Sequence, residues 1–135
     1  MMHVPSMLKA YPKDLGEVDK VKLAACIAAS VECAQACTAC ADACLSEDMV
    51  GQLATCIRTN LDCADICVTT GNVLSRHTGY DPNVTPAVLE ACRIAAKTCA
   101  DECEAHAEMH EHCRICTVVC RRCEQACADL ISSLG

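Results

Sequence analysis

The thiols are the residues that could do chemistry in this sequence. They stand at Cys26, Cys33, Cys37, Cys40 and Cys44; at Cys56, Cys63 and Cys67; at Cys92, Cys99 and Cys103; and at Cys113, Cys116, Cys120, Cys123 and Cys127. Within each group the gaps are 3, 4 or 7 residues. Those separations bring side chains onto one face of an α-helix. The pattern Cys-x6-Cys-x3-Cys starts at Cys26, Cys33, Cys56, Cys92 and Cys116. Stripes of five, three, three and five thiols suggest a duplicated helical pair.

So many thiols in helical register call for a ligand. A core of small residues is the plain alternative, because cysteine passes as a small hydrophobe. Natural cores mix larger aliphatic side chains to reach native density, and this chain has no Phe or Trp to compensate. Disulfides fit poorly, since cysteines one turn apart on a helix have nearly parallel Cβ vectors. Soft thiolates favour Cu(I), Zn(II) and iron–sulfur clusters. Zinc usually takes closed Cys-x2-Cys pairs on turns. Iron–sulfur motifs are compact and often followed by Pro, and no Pro follows Cys127.

Cu(I) is satisfied by two sulfurs, and i,i+4 positions place Cβ atoms about 5–6 Å apart. Cys33/Cys37, Cys40/Cys44, Cys63/Cys67, Cys99/Cys103, Cys116/Cys120 and Cys123/Cys127 are such pairs. With each thiolate bridging two ions, the capacity is on the order of 16 Cu(I) per chain, or somewhat more if other ligands join. Each thiolate cancels one Cu(I), so a filled interior is near neutral. The metal-free thiols should then be mostly protonated and lose protons on loading.

The elements that must position these thiols follow from the punctuation. Residues 1–16 hold Pro5 and Pro12 and read as an arm; 17–135 form the metal-binding domain. A first helix spans Glu17 to Leu45. Ser46-Glu47-Asp48 reads as a cap with acidic first-turn residues, opening a second helix to about Ser75 that frays at Gly71. His77 to Val84 is a turn, and Thr85-Pro86 starts the third helix. No Gly or Pro follows until Gly135, so a break is set near 108–111. Four helices with one special face each pack those faces inward. The expected fold is all-α, an antiparallel four-helix bundle with a cysteine-lined core.

An antiparallel layout gathers Cys26, Cys67, Cys92 and Cys127 at one end and Cys44, Cys56, Cys103 and Cys113 at the other. His106, three after Cys103, and His110, three before Cys113, extend the stripe at the second end. Asn60 holds a stripe position between Cys56 and Cys63. His106, His110 and Asn60 are therefore the candidate entrance ligands, neutral imidazole being a good partner for Cu(I). His112 and Met109 lie nearby; the spacing turns His112 toward solvent. Met49 reads as packing on the first connection. Ser30 and Ala96 fill stripe positions as spacers, Asp62 and Asp65 as solvated residues, and His3 and His77 as unrelated to metal.

Leu53, Ile57, Leu61, Ala64 and Val68 form a second apolar face, as do Leu23, Ile27 and Val31. These seal neighbouring helices, with a remainder free to join bundles. A net charge of −7 argues against nucleic acid and anionic lipid. No run of about 18 apolar residues marks a membrane span. Met1 to Leu15 lack a basic region followed by an apolar stretch, so a cytoplasmic location is expected.

With these residues in view, the sequence resembles the Cys-rich four-helix-bundle copper storage proteins, from about Glu17 to Leu134. The repeated Cys-x6-Cys-x3-Cys on Ala-rich helices carries the resemblance. It implies Cu(I) storage inside the bundle and assembly into a homotetramer. Histidines in place of a Met-rich mouth point to the cytosolic type. The expected function is cytosolic Cu(I) sequestration that limits toxicity and holds a reserve. Copper donors would be small molecules or chaperones. No enzymatic chemistry is expected, as no nucleophile–base pair, phosphate loop or cofactor fingerprint is present. The alternatives are an iron–sulfur redox protein or a zinc or heavy-metal buffer.

Overall fold

Asp19 starts the first of four long helices: its carboxylate accepts from the N–H groups of Val21 and Lys22, both at 3.1 Å. In a computed structural model that describes residues 3–134, that helix is α2, Lys20–Leu45. It follows a short helix, α1, His3–Ala10. Then come a 3-10 turn at Val50–Leu53, α3 at Ala54–Leu74, α4 at Val84–Glu104 and α5 at Glu111–Leu134. Among the described residues no strand occurs, and the fold is all-helical.

The four long helices each pack on two neighbours, in the cyclic order α2, α3, α4, α5. Residue numbers rise on one helix as they fall on the next. On α2 and α5, Cys26 meets Cys127, Cys33 meets Cys120, Cys37 meets Cys116 and Cys40 meets Cys113. On α3 and α4, Cys56 meets Cys103 and Cys67 meets Cys92. Cross-helix ion pairs on the outside, Arg121 with Asp101 and Glu104 and Arg122 with Glu32, follow the same arrangement. Being exposed, each adds little to stability.

Several local expectations change. Ser46 closes α2 rather than opening α3: its N–H donates to the Ala43 carbonyl at 3.1 Å, and the Glu47 N–H donates to that of Cys44 at 3.2 Å. The 3-10 turn then intervenes, and fully buried Leu53 anchors it. Gly71 does not mark a frayed end. It lies buried inside α3, where an added Cβ would stand 3.4 Å from Val31 Cγ2, an ordinary contact distance. Helix α4 begins at Val84, before Thr85-Pro86, because the Asp81 carboxylate accepts from the N–H groups of Asn83 and Val84 at 2.7 and 3.0 Å. Pro86 then falls in the first turn, where a missing N–H costs no helical bond.

The break between α4 and α5 needs neither Gly nor Pro. Residues 105–110 form successive turns, with the N–H groups of Met109 and His110 both donating to the His106 carbonyl. His3 opens α1, whose Val4 and Leu8 bury one turn apart in the core. Helix α2 holds no uninterrupted apolar run, yet by length and composition it is long and apolar enough to cross a membrane, with a mean hydropathy of 1.5 over 18 residues. Half of that window is buried. Its hydropathy comes from alanine and from the cysteines that face inward.

The two ends of the core differ in chemistry. Leu23, Leu74, Leu89 and Leu130 are buried at the start of α2, the end of α3, the start of α4 and the end of α5. These four positions share the end near Cys26 and Cys127. Apolar side chains therefore close that end. The opposite end is made by the two connections that carry Glu47, His106 and His110. Of the second apolar face, Leu23, Ile27, Leu53 and Ala64 are buried, whereas Val31, Leu61 and Val68 remain exposed.

Candidate metal centre

All sixteen cysteines are free and buried. Helical period places each stripe inward, because a helix that buries one face buries residues at i, i+3, i+4 and i+7 together. The sulfurs form a column with many close contacts. Cys37 and Cys120 approach to 3.5 Å, Cys33 and Cys63 to 3.8 Å, and Cys67 and Cys123 to 3.9 Å. These distances far exceed a disulfide bond of about 2.05 Å. They are contacts between thiols.

The column offers several multi-sulfur groups. The sulfurs of Cys33, Cys37, Cys63 and Cys120 all lie within 4.8 Å of one another, as do those of Cys37, Cys99, Cys116 and Cys120. The two groups share Cys37 and Cys120, so neighbouring ions along the axis could be bridged by common thiolates. Cys33, Cys67 and Cys123 form a further group, and so do Cys40, Cys103 and Cys116. Soft donors without competing carboxylates suit soft ions.

Asn60 is fully buried, one turn inside the mouth rather than on its rim. Its Oδ1 accepts from the thiols of Cys99 and Cys116, each at 3.1 Å, and from Cys103 at 3.6 Å. Its Nδ2 donates to Cys56 Sγ at 3.5 Å. One amide thus touches thiols from three helices. Ser30 and Ala96 are also fully buried in the column, as their spacing requires. Ser30 Oγ has no hydrogen-bond partner.

The mouth is built around Glu47. Its Oε2 lies 2.8 Å from His112 Nε2 and 3.0 Å from His110 Nδ1. The hydrogen bond from His112 is the main reason the Glu47 carboxyl is held below the usual carboxylate range. The other nitrogen of His112, Nδ1, stands 3.4 Å from Cys40 Sγ and 3.6 Å from Cys113 Sγ. His112 therefore faces the thiols, which corrects the expectation that it turns to solvent. Its position beside Cys113, off the stripe, hid this. At the first turn of α5 the ring reaches back over the end of the column.

His110 is buried and stacks on His112, with ring centroids 5.4 Å apart. Its Nε2 is buried and without a partner. His106 is partly exposed, with Nε2 at 3.4 Å from Glu102 Oε1. Met109 is exposed. Asp62 pairs with Arg58 on the surface and Asp65 is exposed. His77 packs edge-on against Tyr11, far from any cysteine in the sequence. Sequence spacing missed Glu47 altogether, because a residue in a connection carries no periodic signal.

Protonation follows position. Burial, with the nearby Cys56 thiol, pushes Cys44 up to about 11. Burial, with Cys44 and Cys56, pushes Cys113 up to about 12. Deeper in the column, hydrogen bonding to Cys116 and then Cys120 raises Cys37 far above the ordinary thiol range. The Cys56 thiol moves the other way, lowered first by the Cys103 thiol and then by that of Cys40.

Comparison with known proteins agrees with this chemistry. The family model described as copper storage protein matches residues 19–132. The chain is similar to the copper storage protein Ccsp from Streptomyces lividans loaded with 10 copper equivalents. Identity is 59%, over 96% of this chain and 98% of that one, with a TM-score of 0.95. It is also similar to the cytosolic copper storage protein of the same organism carrying five coppers. There identity is 61%, over 89% of this chain and all of that one, with a TM-score of 0.87. Among curated proteins none matches. A buried column of sixteen free thiols, and a family match spanning nearly the whole helical array, place this chain in the copper storage protein family.

Proposed function

We propose that the four long helices constitute an antiparallel four-helix bundle that stores Cu(I) along its axis in the cytosol. The observation that carries this reading is the column of sixteen buried, unbridged sulfurs. The ligands are the sixteen cysteines, with Asn60, His106 and His110 toward the mouth and His112 beside them. Capacity is on the order of 16 Cu(I) per chain, or somewhat more with nitrogen ligands. Each bound ion replaces a proton, so the loaded interior stays near neutral. Residues 17–135 make up the copper-binding domain and 1–16 an arm, with 1–2 and 135 outside the described residues.

Storage rather than catalysis or delivery suits the geometry. A chaperone needs one or two exposed thiols for exchange, whereas these are many and inward. The relatives from Streptomyces lividans, described as a copper storage protein and as cytosolic, support the same reading. Self-association into a homotetramer, fed by small-molecule or chaperone donors, completes the proposal. It would cover the exposed Val31, Leu61 and Val68.

One observation favours a second reading. The sulfurs of Cys33 lie 3.7–3.8 Å from those of Cys37, Cys63 and Cys120. A tetrahedral zinc site with Zn–S of about 2.3 Å takes a similar spacing. Anaerobic titration of the reduced protein with Cu(I) against a strong chelator decides between them. Saturation near 16 equivalents, with zinc unable to compete, is expected. Saturation after one or two equivalents overturns storage.

A further inference from the structure

We propose that Glu47 is the positioning residue of the mouth: one carboxylate oxygen accepts the N–H of His112 and touches His110, so that His112 offers its opposite nitrogen to an incoming soft monovalent cation. The inference rests on the copper reading above and names the device by which an ion first meets the column.

A neutral imidazole carries its proton on one nitrogen, and the hydrogen bond made by the other partner selects which. His112 Nε2 lies 2.8 Å from Glu47 Oε2. A lone pair facing a carboxylate oxygen at that distance would repel it, so the proton sits on Nε2. That leaves Nδ1 unprotonated beside Cys40 Sγ and Cys113 Sγ, at 3.4 and 3.6 Å. His110 stands against the same oxygen, its Nδ1 3.0 Å from Glu47 Oε2 in an ion-pair contact, while its Nε2 is buried with no partner.

Stacking of His110 on His112 at 5.4 Å, with planes 17° apart, buttresses the ring that Glu47 holds. Cys40, Cys44, Cys113 and His112 form a compact donor group at this end. Outer partners of this kind orient metal-binding imidazoles and raise their basicity. The role of Glu47 could not be read from the cysteine spacing, because the contact joins the α2–α3 connection to the start of α5.

The test uses the reduced, metal-free full chain labelled with 15N at pH 8. Long-range proton–nitrogen correlation spectra report the tautomer of each histidine directly. Protonated Nε2 on His112 is expected. In Glu47→Ala this ring should lose that selection, and the first copper equivalents should load about tenfold more slowly. A proton on Nδ1 of His112 in the unaltered protein overturns the proposal. So does an unchanged His112 tautomer in Glu47→Ala, or an unchanged initial loading rate. Failure of copper storage itself would show separately, as early saturation of the unaltered protein.

Discussion

Asn60 Oδ1 accepts the thiol of Cys116 at 3.1 Å, joining α3 to α5 across the inside of the helical array. The same oxygen takes Cys99 from α4. This amide ties thiols from three helices together near the mouth. It stands where the helical period would otherwise place a cysteine. Its loss therefore affects the metal-free protein before any copper arrives.

Asn60→Ala is expected to destabilise the reduced, metal-free protein by about 1–3 kcal/mol. Several thiols lose an acceptor, and the shortened side chain leaves a void. Urea denaturation followed by circular dichroism measures this. A change of less than a few tenths of a kcal/mol would show that the amide is structurally idle.

Capacity should follow thiol number. Cys37 and Cys120 belong to both four-sulfur groups in the middle of the column. Replacing both by alanine should lower the Cu(I) capacity by about two ions and leave the helix content intact. Equilibrium titration with chelator competition reads the number. A collapse of all binding would instead indicate one indivisible cluster.

Alkaline pH should weaken the metal-free protein. Burial raises Cys44 to about 11 and Cys113 to about 12, above their ordinary value of 9.0. Between pH 9 and about 12 these thiols stay protonated when folded and are ionised when unfolded. The unfolded state then binds fewer protons, so stability falls as pH rises through that window. Below pH 9 the contribution is fully present. Urea midpoints at stepped pH check the slope. Copper-loaded protein should lack it, since its thiols have already lost their protons.

Gly71→Ala should stabilise the protein by about 0.5–1 kcal/mol. Its φ is not in the left-handed region, and the added methyl would meet Val31 at an ordinary contact distance of 3.4 Å. The gain comes from the lower backbone entropy of the unfolded chain. A thermal melt that moves downward would show that α2 and α3 cannot yield even this much at their contact.

The sequence by itself determined the four stripes and their inward face. A period of 3, 4 and 7 is a property of the α-helix, and sixteen thiols on it leave little freedom about what fills the core. The pairing of Cys26 with Cys127 and of Cys56 with Cys103 also follows from antiparallel order, and the contacts match it. Tertiary structure alone decided the mouth. His112 sits one residue off the stripe and Glu47 in a connection, so no periodicity marks either. They meet because the α2–α3 and α4–α5 connections fold over the same end. Only tertiary structure likewise showed that buried leucines seal the far end and that Gly71 lies buried beside Val31. Local spacing encodes which way a helix faces. Contacts between residues 65 apart, such as His112 and Glu47, depend on how the connections place whole helices, and spacing does not record that.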